Sequence, residues 1–130
     1  MADLKTPRDV LVVDDEKSIC EILRQHLDDM GIFRNIVFAR NGIEASAKLR
    51  LQKFSVIILD IGMEKKTGLQ IVQEFTKSDL NRVEDILIVS GQLDRIKMEV
   101  LVKHGVRNFL TKPFDGEAFK AKVVKILESH

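Results

Sequence analysis

A chain of 130 residues suits one domain of ordinary size and can bury a core without staples. Hydrophobic residues make up 45% and charged residues 32%, a globular profile, and a net charge of +1 leaves no strong electrostatic footprint for nucleic acid or anionic lipid. Cys20 is the only cysteine, which excludes an intrachain disulfide framework or a zinc site built on several thiolates.

The opening stretch, "MADLKTPRD", has no apolar h-region. No later run approaches the roughly 18 apolar residues a membrane span needs, so the expected location is the cytoplasm, with no membrane insertion. "DVLVVDD" reads as a first strand, and the helix after it places Ile19, Ile22, Leu23, Leu27 and Met30 on one face before Gly31, the expected C′ residue. "NIVFA" is a second strand. "NGIEASAKLRLQ" reads as a helix with Asn41 at its N-cap.

"SVIILD" follows, an apolar run without polar alternation, as expected of a strand buried on both faces. Thr67 with Gln70 three residues on forms a capping-box pattern, and the helix it opens carries Leu69, Val72 and Phe75 inward. "ILIVS" is a fourth strand. Asp94 is placed to cap a helix ending at Gly105, "RNFLT" is a fifth strand, and a last helix from about Asp115 turns Phe119, Val123, Ile126 and Leu127 inward.

Five strand–helix pairs in alternation predict an α/β fold, a doubly wound five-stranded parallel sheet with helices on both faces. Right-handed crossovers make the flavodoxin-like order 2-1-3-4-5 the simplest arrangement. With no linker, repeat or low-complexity tract, residues 1–130 read as a single domain with its core over about 8–129 and no output domain.

In a parallel sheet all carboxyl ends share one edge, and ligands bind in the crevice there. The first strand ends in Asp14-Asp15, the third in Asp60, the fourth in Ser90-Gly91 and the fifth in Thr111-Lys112-Pro113. Taken singly, each has an ordinary explanation as a cap, turn or solvated bend. Together they bring three carboxylates, a hydroxyl and an ammonium to one place. Clustered carboxylates repel and raise one another's pKa unless a cation sits among them. Oxygen donors without His or Cys suit a hard ion, Mg²⁺ above all. Ser90 could donate to a phosphoryl oxygen, Lys112 supplies a compact charge for the same group, and an aspartate beside Mg²⁺ can itself attack phosphorus. That chemistry makes a strand-end carboxylate at Asp60 both tolerable and useful.

The motifs "VLVVDDE", "VIILDIGM" with Gly68 eight residues past the aspartate, "ILIVSG" and "FLTKPF" resemble the receiver domain of bacterial two-component response regulators, and the resemblance covers nearly the whole chain. It implies a stand-alone regulator similar to those of chemotaxis, in which Asp60 accepts a phosphoryl group from a histidine kinase. It further implies that Asp15, Asp60 and the backbone carbonyl of Gly62 hold Mg²⁺, with Asp14 orienting the metal through water. By the same resemblance Ser90 and Lys112 contact the phosphoryl group, Lys112–Pro113 matches the family's cis peptide, and Ser90 and Phe109 form its switch. The 2-1-3-4-5 order belongs to chemotaxis receivers themselves, so topology and resemblance count as one indication. The implied product is a phosphoprotein rather than an enzyme, assisting only its own phosphorylation and dephosphorylation, and expected as a monomer. Its output is binding to a downstream protein, or, as an alternative, passage of the phosphoryl group to a histidine phosphotransfer protein.

Three departures stand out. Met63 is followed by Glu64, Lys65 and Lys66 where the family usually has Met-Pro, Gly91 stands where alanine is common, and Phe109 lacks the hydroxyl of the usual tyrosine. Without that hydroxyl only ring rotation is left for switching. A haloacid dehalogenase-like phosphohydrolase would need a second acid two residues past the nucleophile, and that position is Gly62, which has no proton to give. A receiver-like module that is never phosphorylated would be expected to lose part of the acidic set or the lysine, and none is lost. His26, His104 and His130 have no ligand spacing and read as solvated, with His26 the remote candidate for a phospho-relay histidine. Cys20 reads as an inert, partly buried thiol, and "KAKVVK" as a core-facing helix with a solvated charged face.

Overall fold

A computed structural model describes residues 8–63, 66–75, 80–91 and 93–130. Residues 1–7 and the unusual pair Glu64 and Lys65 therefore lie outside the described residues. The elements are β1 (Asp9–Val13), α1 (Lys17–Met30), β2 (Asn35–Ala39), α2 (Gly42–Leu51), β3 (Val56–Leu59), α3 (Gly68–Glu74), β4 (Ile86–Ser90), α4 (Arg95–Lys103), β5 (Asn108–Thr111) and α5 (Gly116–Glu128). One turn of 3-10 helix, Val83–Asp85, leads into β4.

All strand pairs are parallel, in the order β2-β1-β3-β4-β5 that the alternation predicts. Successive strand residues point to opposite faces, so each central strand feeds two apolar layers. Leu11, Val13, Ile57, Leu59, Ile86 and Ile88 pack with Ala45, Leu49, Ile71, Val72 and Leu101 from α2, α3 and α4. Val10, Val12, Val56, Ile58, Leu87 and Val89 pack with Leu23, Leu27, Phe119, Val123, Ile126 and Leu127 from α1 and α5. β1, β3 and β4 are buried along their whole length. The unbroken apolar runs follow from helices covering both faces.

Helix starts follow the expected chemistry. Asn41 accepts from the Glu44 N–H, Asp94 accepts from the Lys97 N–H, and Thr67 with Gln70 closes a reciprocal capping box. Gly31 ends α1 with φ +65°, the left-handed region that costs glycine least. The α4 helix ends at Lys103 rather than at Gly105, which adopts φ +101° in the turn beyond.

Three expectations need correction. Ile22 is 43% exposed, because the buried stripe of α1 runs through Leu23 and Leu27 and leaves Ile22 at its margin. In α3 the fully buried residues are Ile71 and Val72, with Leu69 and Phe75 only partly covered. None of the three histidines is simply solvated: His26 packs its ring against Phe114 and Phe119, His104 Nδ1 lies 2.9 Å from the Val100 carbonyl oxygen, and His130 Nε2 lies 2.9 Å from Oδ1 of the fully buried Asp85. Burial pushes the Asp85 carboxyl up, against the pull of His130 and Arg82 beside it.

At the amino edge of the sheet, Asp9 is buried and accepts from Arg34, Asn35 and Gln52 at 2.8–3.2 Å. The Arg34 hydrogen bonds, outweighing burial, hold its carboxyl below the usual range of about 3.8. A depressed acid stabilises above its unfolded pKa, and that contribution is lost as pH falls through the folded value. Asp9→Ala should therefore lower stability by about 1–3 kcal/mol at pH 7. Paired denaturation curves from pH 7 down to pH 2 check this, and the gap between variant and wild type should close only below pH 3.8.

Candidate functional site

The ladder itself delivers the polar residues to one edge. Val13 pairs with Leu59, so Asp14 and Asp60 leave adjacent strands side by side, and the Asp60 N–H donates to the Val13 carbonyl at 3.0 Å. Ser90 pairs with Thr111, and the Lys112 N–H continues that ladder by donating to the Ser90 carbonyl at 3.1 Å. Asp14, Asp15, Asp60, Ser90 and Lys112 are thus brought together as the strand ends predict. The Lys112–Pro113 peptide is cis.

Asp14 and Asp60 are held in the same way. Each gives Oδ1 to a backbone N–H two residues on, from Glu16 at 2.9 Å and from Gly62 at 3.1 Å. Each turns Oδ2 toward the Lys112 ammonium, 2.8 Å from Asp14 and 3.4 Å from Asp60. Local turns fix the rotamers and leave one oxygen of each carboxylate facing the cleft. Asp14 and Asp60 are buried whereas Asp15 is exposed. Ser90 is fully buried at the end of β4, beneath the cleft.

Glu16 was not singled out from the sequence, yet its Oε1 lies 3.3 Å from Lys112 Nζ. One carboxylate oxygen from each of Asp14, Asp15, Glu16 and Asp60 lies within 4.8 Å of the others. The signal was present in "DDE", where a third acid opens α1 beside the pair. Burial pushes the Asp14 carboxyl up even though Lys112 and the Glu16 N–H favour its charged form. Burial alone would lower the Lys112 pKa, but the hydrogen bond to Asp14 and the charges of Asp14 and Asp60 outweigh it, and the ammonium is held above its usual value.

The donor set fits a hard divalent ion: among the described residues four carboxylates, and neither His nor Cys, offer ligand atoms within reach of one point. Lys112 offsets part of the charge of these carboxylates. Beside it opens a cavity of about 320 Å³ lined by Asp14, Asp15, Lys17, Cys20, Arg24, Phe38 and other residues. The Cys20 thiol, pushed up chiefly by burial, lies 3.5 Å from the Asp14 carbonyl, which agrees with an unreactive thiol.

Gly68 explains the glycine eight residues past Asp60. A Cβ there would come within 2.7 Å of the Asp60 carbonyl oxygen and of Ile61 Cα, so α3 packs its first turn directly on the Asp60 backbone. Gly68→Ala should displace that backbone and cost about 1–3 kcal/mol. Thermal unfolding of the variant alongside Gly91→Ala checks this. Among the described residues a Cβ at Gly91 would meet Lys112 Cβ at an ordinary 3.8 Å, so that second variant should be near neutral.

Parallel 2-1-3-4-5 topology with an acidic cluster and a lysine at its carboxyl edge is the architecture of a receiver domain. The family described as the response regulator receiver domain matches residues 10–124, and the chain belongs to that family. It is 32% identical over 121 residues to chemotaxis protein CheY1 of Helicobacter pylori (strain J99), covering 91% of this chain and 95% of that protein. Against three other curated relatives, response or transcriptional regulators, the chain spans only about half of their length. Among solved structures, chemotaxis protein CheY4 of Vibrio cholerae superposes with a TM-score of 0.79 at 27% identity, covering 93% of this chain and 99% of that one. The receiver domain of sensor histidine kinase PA1611 from Pseudomonas aeruginosa, solved with a magnesium ion coordinated in its active-site cleft, shares the fold at 18% identity and a TM-score of 0.81 over 95% of this chain and 99% of that one.

Proposed function

We propose that residues 1–130 form one receiver domain, acting as a monomer, that accepts a phosphoryl group on Asp60 from a histidine kinase and thereby alters its binding to a downstream protein. The observation that carries this reading is the Lys112 ammonium, poised between Asp14 and Asp60 on the edge where four carboxylates meet. In it, Asp15, Asp60 and the Gly62 carbonyl would hold Mg²⁺, and Asp14 would act on the metal through water. Bound there, the ion would screen the carboxylates and the incoming phosphate from one another. The chain's own groups do the rest. Gly62 N–H holds Asp60 Oδ1, leaving Oδ2 to attack phosphorus in line with the departing imidazole. Lys112 shifts a donor from carboxylate to phosphoryl oxygen, and the Ser90 hydroxyl supplies another. The domain is not an enzyme in its own right, and it needs neither nucleic acid nor a membrane for this step. Among the described residues no helix is long and apolar enough to cross a bilayer.

In this reading transmission runs through Ser90 and Phe109. A phosphoryl group drawing Ser90 toward the cleft opens space behind it. The half-buried Phe109, paired with Ile88 in the neighbouring strand and packed on the α2–α4 side of the core, is the apolar group able to move into it. The surface so altered joins α4, β5 and α5. On and between these elements Ile96 is 74% and Val102 56% exposed, Lys97, Lys103 and Arg107 are exposed, and Lys122 is partly covered. A pre-existing two-state element biased by new contacts accounts for this. Amide-resolved NMR with and without beryllofluoride–Mg²⁺, a phosphoryl mimic, should show shifts reaching residues 94–110. Shifts confined to the acidic cleft would mean that a partner reads the cleft rim directly. Transfer onward to a histidine phosphotransfer protein uses the same acceptor, and loss of label to such a protein faster than to water would favour it.

A further inference from the structure

The β3–α3 loop carries Asp60 and Gly62, yet it lacks the proline that would restrict its backbone after Met63. Its far end is held from outside. The Lys66 ammonium pairs with Glu74 Oε1 on the last turn of α3, and Glu74 Oε2 accepts from the Ser46 hydroxyl of α2 at 2.9 Å. Ser46 is buried, and the Lys66 and Glu74 side chains are 24% and 42% exposed, so the pair is partly shielded from water. Backbone packing reinforces it, since the Lys66 carbonyl and Cβ press on α2 where Gly42 has no side chain, and any Cβ there would collide with them. One carboxylate thus ties the loop to two helices.

We propose that Lys66 and Glu74, steadied by Ser46, are positioning residues that set how the Gly62 backbone is presented to the cation. This rests on the reading above that the Gly62 carbonyl is a ligand. Neither side chain touches the phosphoryl group. Both act at Lys66, the end of the loop that the capping box at Thr67 and the close approach of Gly68 to Asp60 join to α3.

The test is calorimetric titration of the full chain with Mg²⁺ for Lys66→Gln, Glu74→Gln and the exchanged pair Lys66→Glu with Glu74→Lys, with thermal midpoints measured beside it. A mere charge effect would move the two single variants oppositely, since losing Lys66 removes a repulsive charge and losing Glu74 an attractive one. Positioning instead weakens both, by about 3- to 10-fold, and the exchanged pair, which keeps the net charge, should recover most of the loss. Wild-type affinity in both single variants overturns the proposal. So do opposite shifts, or an exchanged pair no better than the singles. Asp15→Asn is the control: if it too leaves Mg²⁺ affinity unchanged, the cation reading has failed. If it weakens binding while the single variants do not, only the positioning role has failed.

Discussion

Asp60→Asn should reduce phosphoryl incorporation from acetyl phosphate and Mg²⁺ to background, while wild type gains one phosphoryl unit by intact-protein mass. The amide can keep the turn with the Gly62 N–H, since its carbonyl oxygen still accepts, but it offers no anionic oxygen to attack phosphorus. The variant therefore removes the nucleophile and little of the architecture. Asp60 is 6% exposed and close to Lys112, so trading a buried charge for an amide should not unfold the domain. A folded, unreactive variant separates chemistry from stability. Labelling at the wild-type rate would show that another carboxylate is the acceptor.

The second large effect concerns the metal, and the proposed reading orders the two neighbouring aspartates. In that reading Asp15, exposed at the acidic edge, is a direct ligand, while the buried Asp14, bonded to the Glu16 N–H and to Lys112, acts through water. Asp15→Asn should thus remove a direct ligand charge and cause the greater fall in Mg²⁺ affinity, about 100-fold or more. Asp14→Asn, acting through water, should cost about 10-fold. Calorimetric titration of both variants checks the order. Equal and negligible losses would place the cation elsewhere.

The fold was legible because each level agreed with the next. Unbroken apolar runs marked strands covered on both faces, Asn41, Thr67 and Asp94 marked helix starts, and the general rule of right-handed crossovers left one simple order. The convergence of Asp14, Asp60 and Lys112 followed from topology alone, because parallel strands send their carboxyl ends to one edge. Side-chain reach was harder to read. Glu16 is the exposed N-cap residue just before α1, a position that reads as solvated, and only the tertiary position of Lys112, 96 residues away in sequence, reveals its partner. The same limit hid the contact between His130 and Asp85, which depends on α5 ending beside the turn that enters β4. The tie from Lys66 through Glu74 to Ser46 spans three elements and has no local pattern at all.

The most direct test of the central claim locates the phosphoryl group on the chain itself. Wild-type protein treated with acetyl phosphate and Mg²⁺, then reduced with borohydride, converts an aspartyl phosphate to homoserine, and peptide sequencing by mass spectrometry finds where. Homoserine at position 60, absent when EDTA replaces Mg²⁺, is the predicted result. Modification at Asp14, Asp15 or Glu16 instead, or an unchanged residue 60 in protein that has gained a phosphoryl unit, would contradict it.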